Sequence, residues 1–291
     1  MNLQWYPGHM TKAKRAMQDD IKLVDLVIEL LDARVPLSSE NPDIEKLAAG
    51  KFRLVLLNKA DLSDETANAA WIRHFAAQNI TCIALDSRAT GNMKKVKNAI
   101  TDVCREKIER DKKRGILNRP IRAMVAGIPN VGKSTFINSF AGKSAAKTGN
   151  KPGVTKGNQW IRLDKNTELL DTPGILWPKF EDETVGIHLA FIGSINDDVV
   201  DKTELCYEFV RHILSTKSRC LAERYEVEIN SSEAETPSPD YVNGLIEEIA
   251  YKRNCLKKGG EADIFKVSGL IIDDFRTGKL GKITVEMPDN E

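Results

Sequence analysis

The sequence predicts an α/β fold, with a parallel sheet covered by helices on both faces, followed by an all-α region. Short apolar runs alternate with segments of helical spacing through residues 1–180. Such alternation is typical of parallel strands joined by helical crossovers. The runs predicted as strands are residues 25–33, 52–58, 80–86, 121–127 and 167–171, and the segments predicted as helices between them are residues 42–50, 64–78 and 93–115.

The pattern changes after about residue 177, where only helical spacing is found. Helices are predicted at residues 184–195, 205–214 and 241–256, and the polar, turn-rich stretch 230–239 is predicted to be a connector. We therefore expect two domains, residues 1–180 and residues 185–291. The apolar residues expected to share a buried face are Val185, Leu189 and Ile192 on the first of these helices, and Val242, Leu245, Ile246 and Ile249 on the last.

Composition indicates a soluble globular protein. The chain has 291 residues, of which 41% are hydrophobic and 29% are charged. The most apolar run, residues 23–33, contains Asp25, Glu29 and Asp32, which argues against a membrane span. The first residues lack the apolar core of a secretory signal, and the five cysteines form no zinc or CxxC pattern. We expect a cytoplasmic protein with reduced cysteines and no membrane partner.

The net charge of +1 is unevenly distributed. Residues 105–122 contain eight basic and three acidic groups, a balance of +5, and residues 143–165 contain six basic groups and one acidic group, also +5. Such patches can attract a polyanion even when the whole chain is nearly neutral. The alternative interpretation of either patch is a solvated helix face or loop.

The stretch GIPNVGKS, residues 127–134, fits the phosphate-binding pattern GxxxxGK[ST] between a predicted strand and a predicted helix at 134–141. Its glycines allow the backbone N–H groups to face phosphate oxygens at a helix N-terminus. Lys133 is expected to reach the outer phosphates, and Ser134 to bind Mg²⁺. The residues predicted to bind nucleotide here are Asn130, Val131, Gly132, Lys133, Ser134 and Thr135.

The stretch DTPG, residues 171–174, follows another apolar run. A carboxylate at Asp171 can hold Mg²⁺ through water, and the Gly174 N–H can approach a γ-phosphate without a side chain in the way. Between the two motifs, Thr155 offers a hydroxyl that can close on the same metal. Alone, DxPG is a common turn and many loops contain Thr, so these two predictions depend on the phosphate loop upstream.

The stretch NKAD, residues 58–61, is typical of a guanine reader. The Asp61 carboxylate can accept two parallel hydrogen bonds from guanine N–H groups, whereas adenine would leave it unpaired. Asn58 is expected to bond the other edge of the base, Lys59 to lie along the ring, and Ser87 to back the base. The predicted base-binding residues are Asn58, Lys59, Ala60, Asp61 and Ser87.

These motifs, in this order, resemble the circularly permuted GTPases of the YlqF/YawG type. The resemblance also includes WYPGHM (5–10), PGVT (152–155), DTPGILWPK (171–179), YKRN (251–254) and FRTGKLGKITVE (275–286), and so covers nearly the whole chain. It implies a Ras-like P-loop G domain whose base-reading motifs precede the phosphate-reading ones. It further implies a C-terminal helical RNA-binding domain and a role in late maturation of the large ribosomal subunit. The partners implied are GTP, GDP, ribosomal RNA and ribosomal proteins.

The position that holds a water-orienting Gln in Ras-like enzymes is Ile175 here, followed by Leu176 and Trp177. We therefore expect slow intrinsic GTP hydrolysis that a partner stimulates. His9 is the candidate catalytic residue, because an imidazole can orient water or accept its proton. The alternative is a structural His beside a tight turn.

Two further questions stay open at this point. An Asn inside the phosphate loop, here Asn130, occurs in GTPases that hold K⁺ beside the phosphates, so K⁺ is a candidate second cation. The alternative is that Asn130 only forms the turn. The expected activity is that of a GTPase acting in ribosome assembly, through a nucleotide-dependent repositioning of residues 185–285 on its partner. The alternatives are a GTP-sensing RNA-binding module with incidental turnover, and a GTPase that acts on transfer RNA.

Overall fold

A computed structural model describes residues 15–117, 119–142, 159–163, 166–172, 176 and 182–288. The described residues up to 176, together with residues 286–288, form one compact unit, and residues 182–285 form the other. The helical unit thus ends at Val285, whereas the sequence predicted a helical domain extending to residue 291.

The first unit contains a six-stranded sheet in the order β3-β2-β1-β4-β6-β5. All neighbouring strands are parallel except β5, which runs antiparallel to β6 at the edge. The predicted strands at 52–58, 121–127 and 167–171 have the observed bounds, and β5 was not predicted. The strands are β1 (Leu26–Asp32), β2 (Phe52–Asn58), β3 (Thr81–Leu85), β4 (Ile121–Gly127), β5 (Gln159–Arg162) and β6 (Thr167–Asp171).

Helices connect the strands of this unit. They are α1 (Pro36–Ser39), α2 (Pro42–Leu47), α3 (Glu65–Ala77), α4 (Met93–Val103), α5 (Arg105–Lys113) and α6 (Lys133–Ala141), and residues 15–20 are also helical. Side-chain caps fix two of the helix starts, because Asn41 accepts from the Asp43 N–H and Asp64 from the Thr66 N–H. The single helix predicted for 93–115 was wrong. Cys104 leaves helical geometry at φ −92° and ψ 13°, which separates α4 from α5.

The sheet is buried on both faces, as expected for parallel strands. Trp71 and Phe75 of α3 pack with Val55 and Leu57 of β2 in one apolar cluster. A second cluster joins strand residues to Ile44 of α2 and to the helical residues near the start of the described chain; it contains Met17, Ile21, Val24, Val27, Ile44, Ala48, Met124 and Ala126.

The second unit is all-α, as predicted. Its helices are α7 (Glu183–Phe191), α8 (Lys202–Tyr225), α9 (Ser231–Glu235), α10 (Pro239–Lys252) and α11 (Ile264–Arg276). The long helix α8 is kinked at Lys217, and α9 lies inside the stretch predicted as a connector. Val185 is half-buried, and the other residues predicted for the buried faces are buried, namely Leu189, Ile192, Val242, Leu245, Ile246 and Ile249. None of the described helices is both long and apolar enough to cross a membrane.

Charged contacts tie α11 to the helices before it. The buried Asp274 carboxylate accepts from Arg224 Nε at 2.8 Å and from Tyr225 OH at 3.3 Å. Arg276 donates to the carbonyl oxygens of Ala190 and Phe191 and pairs with Asp197. Since the Arg276 contacts satisfy carbonyls at the C-terminus of α7, they fix the helix that begins just after the DTPG segment.

The chain returns to the first unit at Glu286. The Glu286 carboxylate accepts from the Ser38 N–H at 3.0 Å and from Ser38 Oγ, and the Trp71 indole donates to the Glu286 carbonyl at 3.0 Å. Ser39, the next residue, accepts from the Asp32 N–H at 3.0 Å. The tail therefore holds α1 at the carboxyl end of the central strand β1.

We expect Glu286→Ala to lower the free energy of unfolding of the first unit by about 1–3 kcal/mol, because it removes a buried carboxylate that accepts hydrogen bonds from Ser38. The measurement is urea denaturation followed by circular dichroism. Met287→Ala is the matched control, since Met287 is 58% exposed and its truncation should change stability by less than about 0.5 kcal/mol. Equal stability of the two variants would show that the tail contact contributes nothing.

Candidate nucleotide-binding site

The sheet topology creates a crevice at the carboxyl ends of β1 and β4. The chain runs from β1 outward through β2 and β3, and then continues as β4 on the other side of β1. Ligands of open α/β sheets bind where the strand order reverses in this way. The predicted motifs lie at this edge because they follow the ends of β2, β4 and β6.

The phosphate loop runs from the end of β4 to the start of α6. Gly127 has φ 146°, and a Cβ there would lie 2.5 Å from the Leu30 carbonyl oxygen of β1. Gly132 has φ 102°, and a Cβ there would collide with Asn58 Nδ2. Both positions therefore need glycine, for backbone conformation and for close approach. The helix α6 begins directly after this turn, which places its N-terminus at the loop.

Lys133 lies inside the loop. Its ammonium donates to the carbonyl oxygens of Gly127 at 3.0 Å and Ile128 at 2.7 Å. Burial lowers the pKa of Lys133 to about 8, while the nearby Asp171 carboxylate opposes this shift. A buried ammonium whose hydrogen bonds go to neutral carbonyls gains most from an anion, so this position suits phosphate.

Asp171 ends β6 and is buried. Its Oδ1 atom has no hydrogen-bond partner among the described residues, and burial raises the pKa of its carboxyl to about 6. A buried, unsatisfied carboxylate oxygen beside a phosphate loop fits Mg²⁺, which binds proteins through one or two carboxylates plus substrate phosphates. The described residues contain no cluster of three or more His, Cys, Asp or Glu side chains that could hold a metal.

Asn58 joins the base-reading turn to the phosphate loop. Its Nδ2 donates to the Val131 carbonyl at 2.7 Å, and its Oδ1 accepts from the Ser87 N–H at 3.0 Å and Ser87 Oγ at 2.7 Å. Residues far apart in sequence therefore meet through one amide. The predicted contact of Asn58 with the base stays a prediction, as does the backing role of Ser87.

Asp61 lies in the turn that follows Lys59, which has φ 60°. Its Oδ1 atom is buried without a partner in the described part of the chain, and its Oδ2 accepts from Arg88. One carboxylate oxygen thus has no partner among the described residues, and the other is shared with a guanidinium. This arrangement suits the two N–H groups of guanine.

Sequence reasoning missed Asp32, Arg34 and Arg88. Asp32, fully buried at the end of β1, accepts from Arg34 Nε and Nη2, both at 2.8 Å, and from Lys59 Nζ at 2.9 Å. Although burial opposes it, these two cations hold the pKa of Asp32 well below its usual range. Lys59 Nζ also donates to the Asn130 carbonyl at 2.9 Å. The sequence signal that could have identified Asp32 is a charged residue at the end of an apolar strand.

The structure brings most of the predicted site together. Hydrogen bonds link Asn58, Lys59, Ser87, Asn130 and Val131, and Gly132, Lys133, Ser134 and Thr135 continue the same loop into α6. Ala60 is held in its turn by an N–H bond to the Leu85 carbonyl at 3.1 Å. The remaining candidates, His9, Thr155 and Gly174, lie outside the described residues, as do Ile175 and Trp177.

The fold and the site together define a P-loop GTP-binding protein whose base-reading motif precedes its phosphate loop. A family model described as 50S ribosome-binding GTPase matches residues 122–230. That match begins in β4 and omits residues 58–61, which come earlier in this chain.

Relatives match the chain over its full length. Ribosome biogenesis GTPase A of Bacillus licheniformis is 43% identical over 290 residues, covering 100% of both chains. The protein of the same name from Bacillus cereus is 44% identical, covering 99% of this chain and 95% of its own. The chain belongs to the ribosome biogenesis GTPase A family, and it is a GTPase.

A solved structure extends the comparison to the fold. The crystal structure of GNP-bound YlqF from T. maritima superimposes with a TM-score of 0.64 at 27% identity, covering 96% of this chain and 100% of its own. The predicted fold class and the predicted likeness to YlqF-type GTPases are therefore confirmed.

Proposed function

We propose that this chain hydrolyses GTP while it assists late maturation of the large ribosomal subunit, and that it acts in the cytoplasm. The observation that carries the nucleotide part is the Asn58 amide, which joins the guanine-reading turn to the phosphate loop through Val131 and Ser87. The ribosomal part is supported by the names of the relatives and by the description of the family model. The proposed partners are precursor particles containing ribosomal RNA and ribosomal proteins.

The roles of the site residues follow from their chemistry. Asp61 accepts guanine N–H groups, Lys133 and the N–H groups at the start of α6 bind the phosphates, and Ser134 and Asp171 hold Mg²⁺ with Thr155. When bound, Mg²⁺ neutralises charge that develops on the phosphates. Gly174 approaches the γ-phosphate through its N–H.

The chain order explains how nucleotide state can reach the partner. Asp171 ends β6, and the helical unit begins only a short segment later, at Asp182. In this permuted order the γ-phosphate-sensing segment leads directly into that unit, so loss of the phosphate changes the constraint on residues that precede α7. We propose that precursors bind the GTP state and are released after hydrolysis.

Co-sedimentation with large-subunit precursor particles tests the proposal. We expect affinity to be at least about tenfold higher with a non-hydrolysable GTP analogue than with GDP, a coupling of about 1.4 kcal/mol. Single-turnover hydrolysis should accelerate when precursors are added and remain unchanged when transfer RNA is added. Equal affinities in both nucleotide states, or hydrolysis that ignores the particles, would contradict the proposal and favour a sensing module.

The same hydrolysis assay tests two finer parts of the proposal. His9→Ala should lower the particle-stimulated rate about a hundredfold or more and spare GTP affinity, since a positioned acid–base group contributes that much. His74→Ala, which removes another of the four histidines, is the matched control.

Hydrolysis should also be faster in KCl than in NaCl if K⁺ binds beside Asn130, and equal rates would exclude that cation.

A further inference from the structure

The segment that joins the base-reading half of the first unit to its phosphate-binding half contains the basic helix α5 (Arg105–Lys113). One of its charged residues, Lys107, anchors it to the sheet. Lys107, which is buried, donates to Asp111 Oδ2 at 2.8 Å and lies 3.6 Å from Asp25 Oδ2. Since Asp25 immediately precedes β1, the helix is held at the amino ends of the strands. The predicted nucleotide site lies at the opposite, carboxyl ends.

The other cations of this stretch face solvent. Among the described residues of 105–122, the exposed acidic groups are Glu106 and Glu109. Arg105 has a carboxylate neighbour on α4, Asp102 at 2.6 Å, and Arg122 pairs with Glu168. Because Lys107 and Asp111 neutralise each other, the remaining charges leave a strong positive excess. The exposed cations are Arg105, Arg110, Lys112, Lys113, Arg114, Arg119 and Arg122.

An exposed tryptophan ring lies beside the last cation of this stretch, Arg122. The Arg122 N–H donates to Asp25 Oδ2 at 3.0 Å, so the start of β4 shares the carboxylate that faces Lys107. The Arg122 guanidinium lies 5.2 Å from the centroid of the Trp160 ring, which is 39% exposed. Across the sheet, Arg162 of β5 pairs in register with Glu168 of β6, and Glu168 pairs in register with Arg122.

We propose that this amino-edge surface, made of the exposed cations of residues 105–122 together with Trp160, binds RNA. Arginine guanidinium groups match phosphate oxygens in two-point contacts. An exposed aromatic ring beside them provides a stacking platform for a splayed base. The inference deepens the proposed function and rests on it for the source of the RNA, the ribosomal precursor. It adds a contact on the G-domain unit, whereas the family resemblance assigns RNA binding to the helical domain.

The test uses the full chain and deproteinised large-subunit ribosomal RNA, titrated over a range of salt concentrations. Lys112→Gln/Lys113→Gln should weaken RNA binding about tenfold. The fall of log affinity with log salt should become less steep by about 1.4–1.8, the value for two lost phosphate contacts. Trp160→Leu should weaken binding about tenfold with little change in that slope, because it removes stacking rather than charge. GTP affinity and basal hydrolysis should be unchanged in both variants.

Lys46→Gln/Arg73→Gln is the matched control, since it removes equal charge from the exposed surface of α2 and α3. Equal weakening by both double variants, or no weakening by Lys112→Gln/Lys113→Gln, would overturn the proposal. Poly-glutamate serves as a protein-like polyanion. If it binds as tightly as RNA and shows the same losses, the surface belongs to an acidic protein partner and the RNA assignment is wrong.

The outcome is separable from that of the proposed function. Wild-type protein that binds precursor particles in a nucleotide-dependent way, with both surface variants unaffected, would reject the amino-edge surface and keep the function. If the wild-type protein does not bind the particles, but both surface variants bind free RNA more weakly than the wild type does, the proposed function is wrong and the amino-edge surface is supported.

Discussion

Replacing Asp61 with asparagine should weaken GTP binding by about 10²–10⁴-fold. The guanine N–H groups would then lose a carboxylate acceptor, and unpaired polar groups in a buried site are costly. The Asp61 carboxylate has a buried Oδ1 atom without a partner among the described residues. Asparagine keeps the shape but presents an N–H donor where guanine also presents one. Xanthosine triphosphate, which carries a carbonyl in place of the guanine amino group, should bind the variant more tightly than GTP does.

Titration of a fluorescent nucleotide with each competitor measures both affinities. Asp86→Asn is the matched control, since Arg88 contacts both Asp86 and Asp61 and the charge removed is the same. That variant should keep GTP affinity within about threefold, as expected for a partly exposed ion pair. If Asp61→Asn retains GTP affinity, Asp61 does not read the base.

The second large effect is expected for Gly132→Ala, which should abolish measurable nucleotide binding, a loss of at least about a hundredfold, and lower stability by about 1–3 kcal/mol. Gly132 has φ 102°, and its Cβ would collide with Asn58 Nδ2. Relief of that collision requires breaking the Asn58 bond to Val131, and this bond holds the base-reading turn against the phosphate loop.

Gly142→Ala provides the comparison at the other end of α6. Gly142 also has positive φ, 66°, but no described atom lies within 4 Å of the position that a Cβ would take there. This variant should lose only about 1 kcal/mol of stability, the cost of left-handed backbone for alanine, and keep its GTP affinity. Isothermal titration with GTP distinguishes the two variants, and equal affinities would contradict the role of the Asn58 contact.

Periodicity and motif spacing predicted most of this architecture because parallel strands are continuous apolar runs. The bounds of β2, β4 and β6 were predicted as observed. The four-residue edge strand β5 was not, since so short a run has no pattern of its own and depends on pairing with β6. The break at Cys104 was missed because the apolar spacing of α4 continues into α5.

The site was predicted through its motifs and missed where tertiary contacts decide. In sequence, Asp32 appears only as an interruption of an apolar run, and its pairing with Lys59 exists only once β1 and β2 are neighbours. The role of Glu286 likewise could not be predicted, because its carboxylate accepts from Ser38, a residue far away in the chain. Arg88 lies outside every predicted motif, and its place beside Asp61 follows only from the fold.

The most direct test of the central claim is a crystal structure of this chain with a non-hydrolysable GTP analogue and Mg²⁺. The account predicts one nucleotide, with guanine N–H groups on the Asp61 carboxylate and the phosphates enclosed by residues 130–135. A guanine ring bound away from Asp61, or phosphates bound away from Lys133, would contradict it.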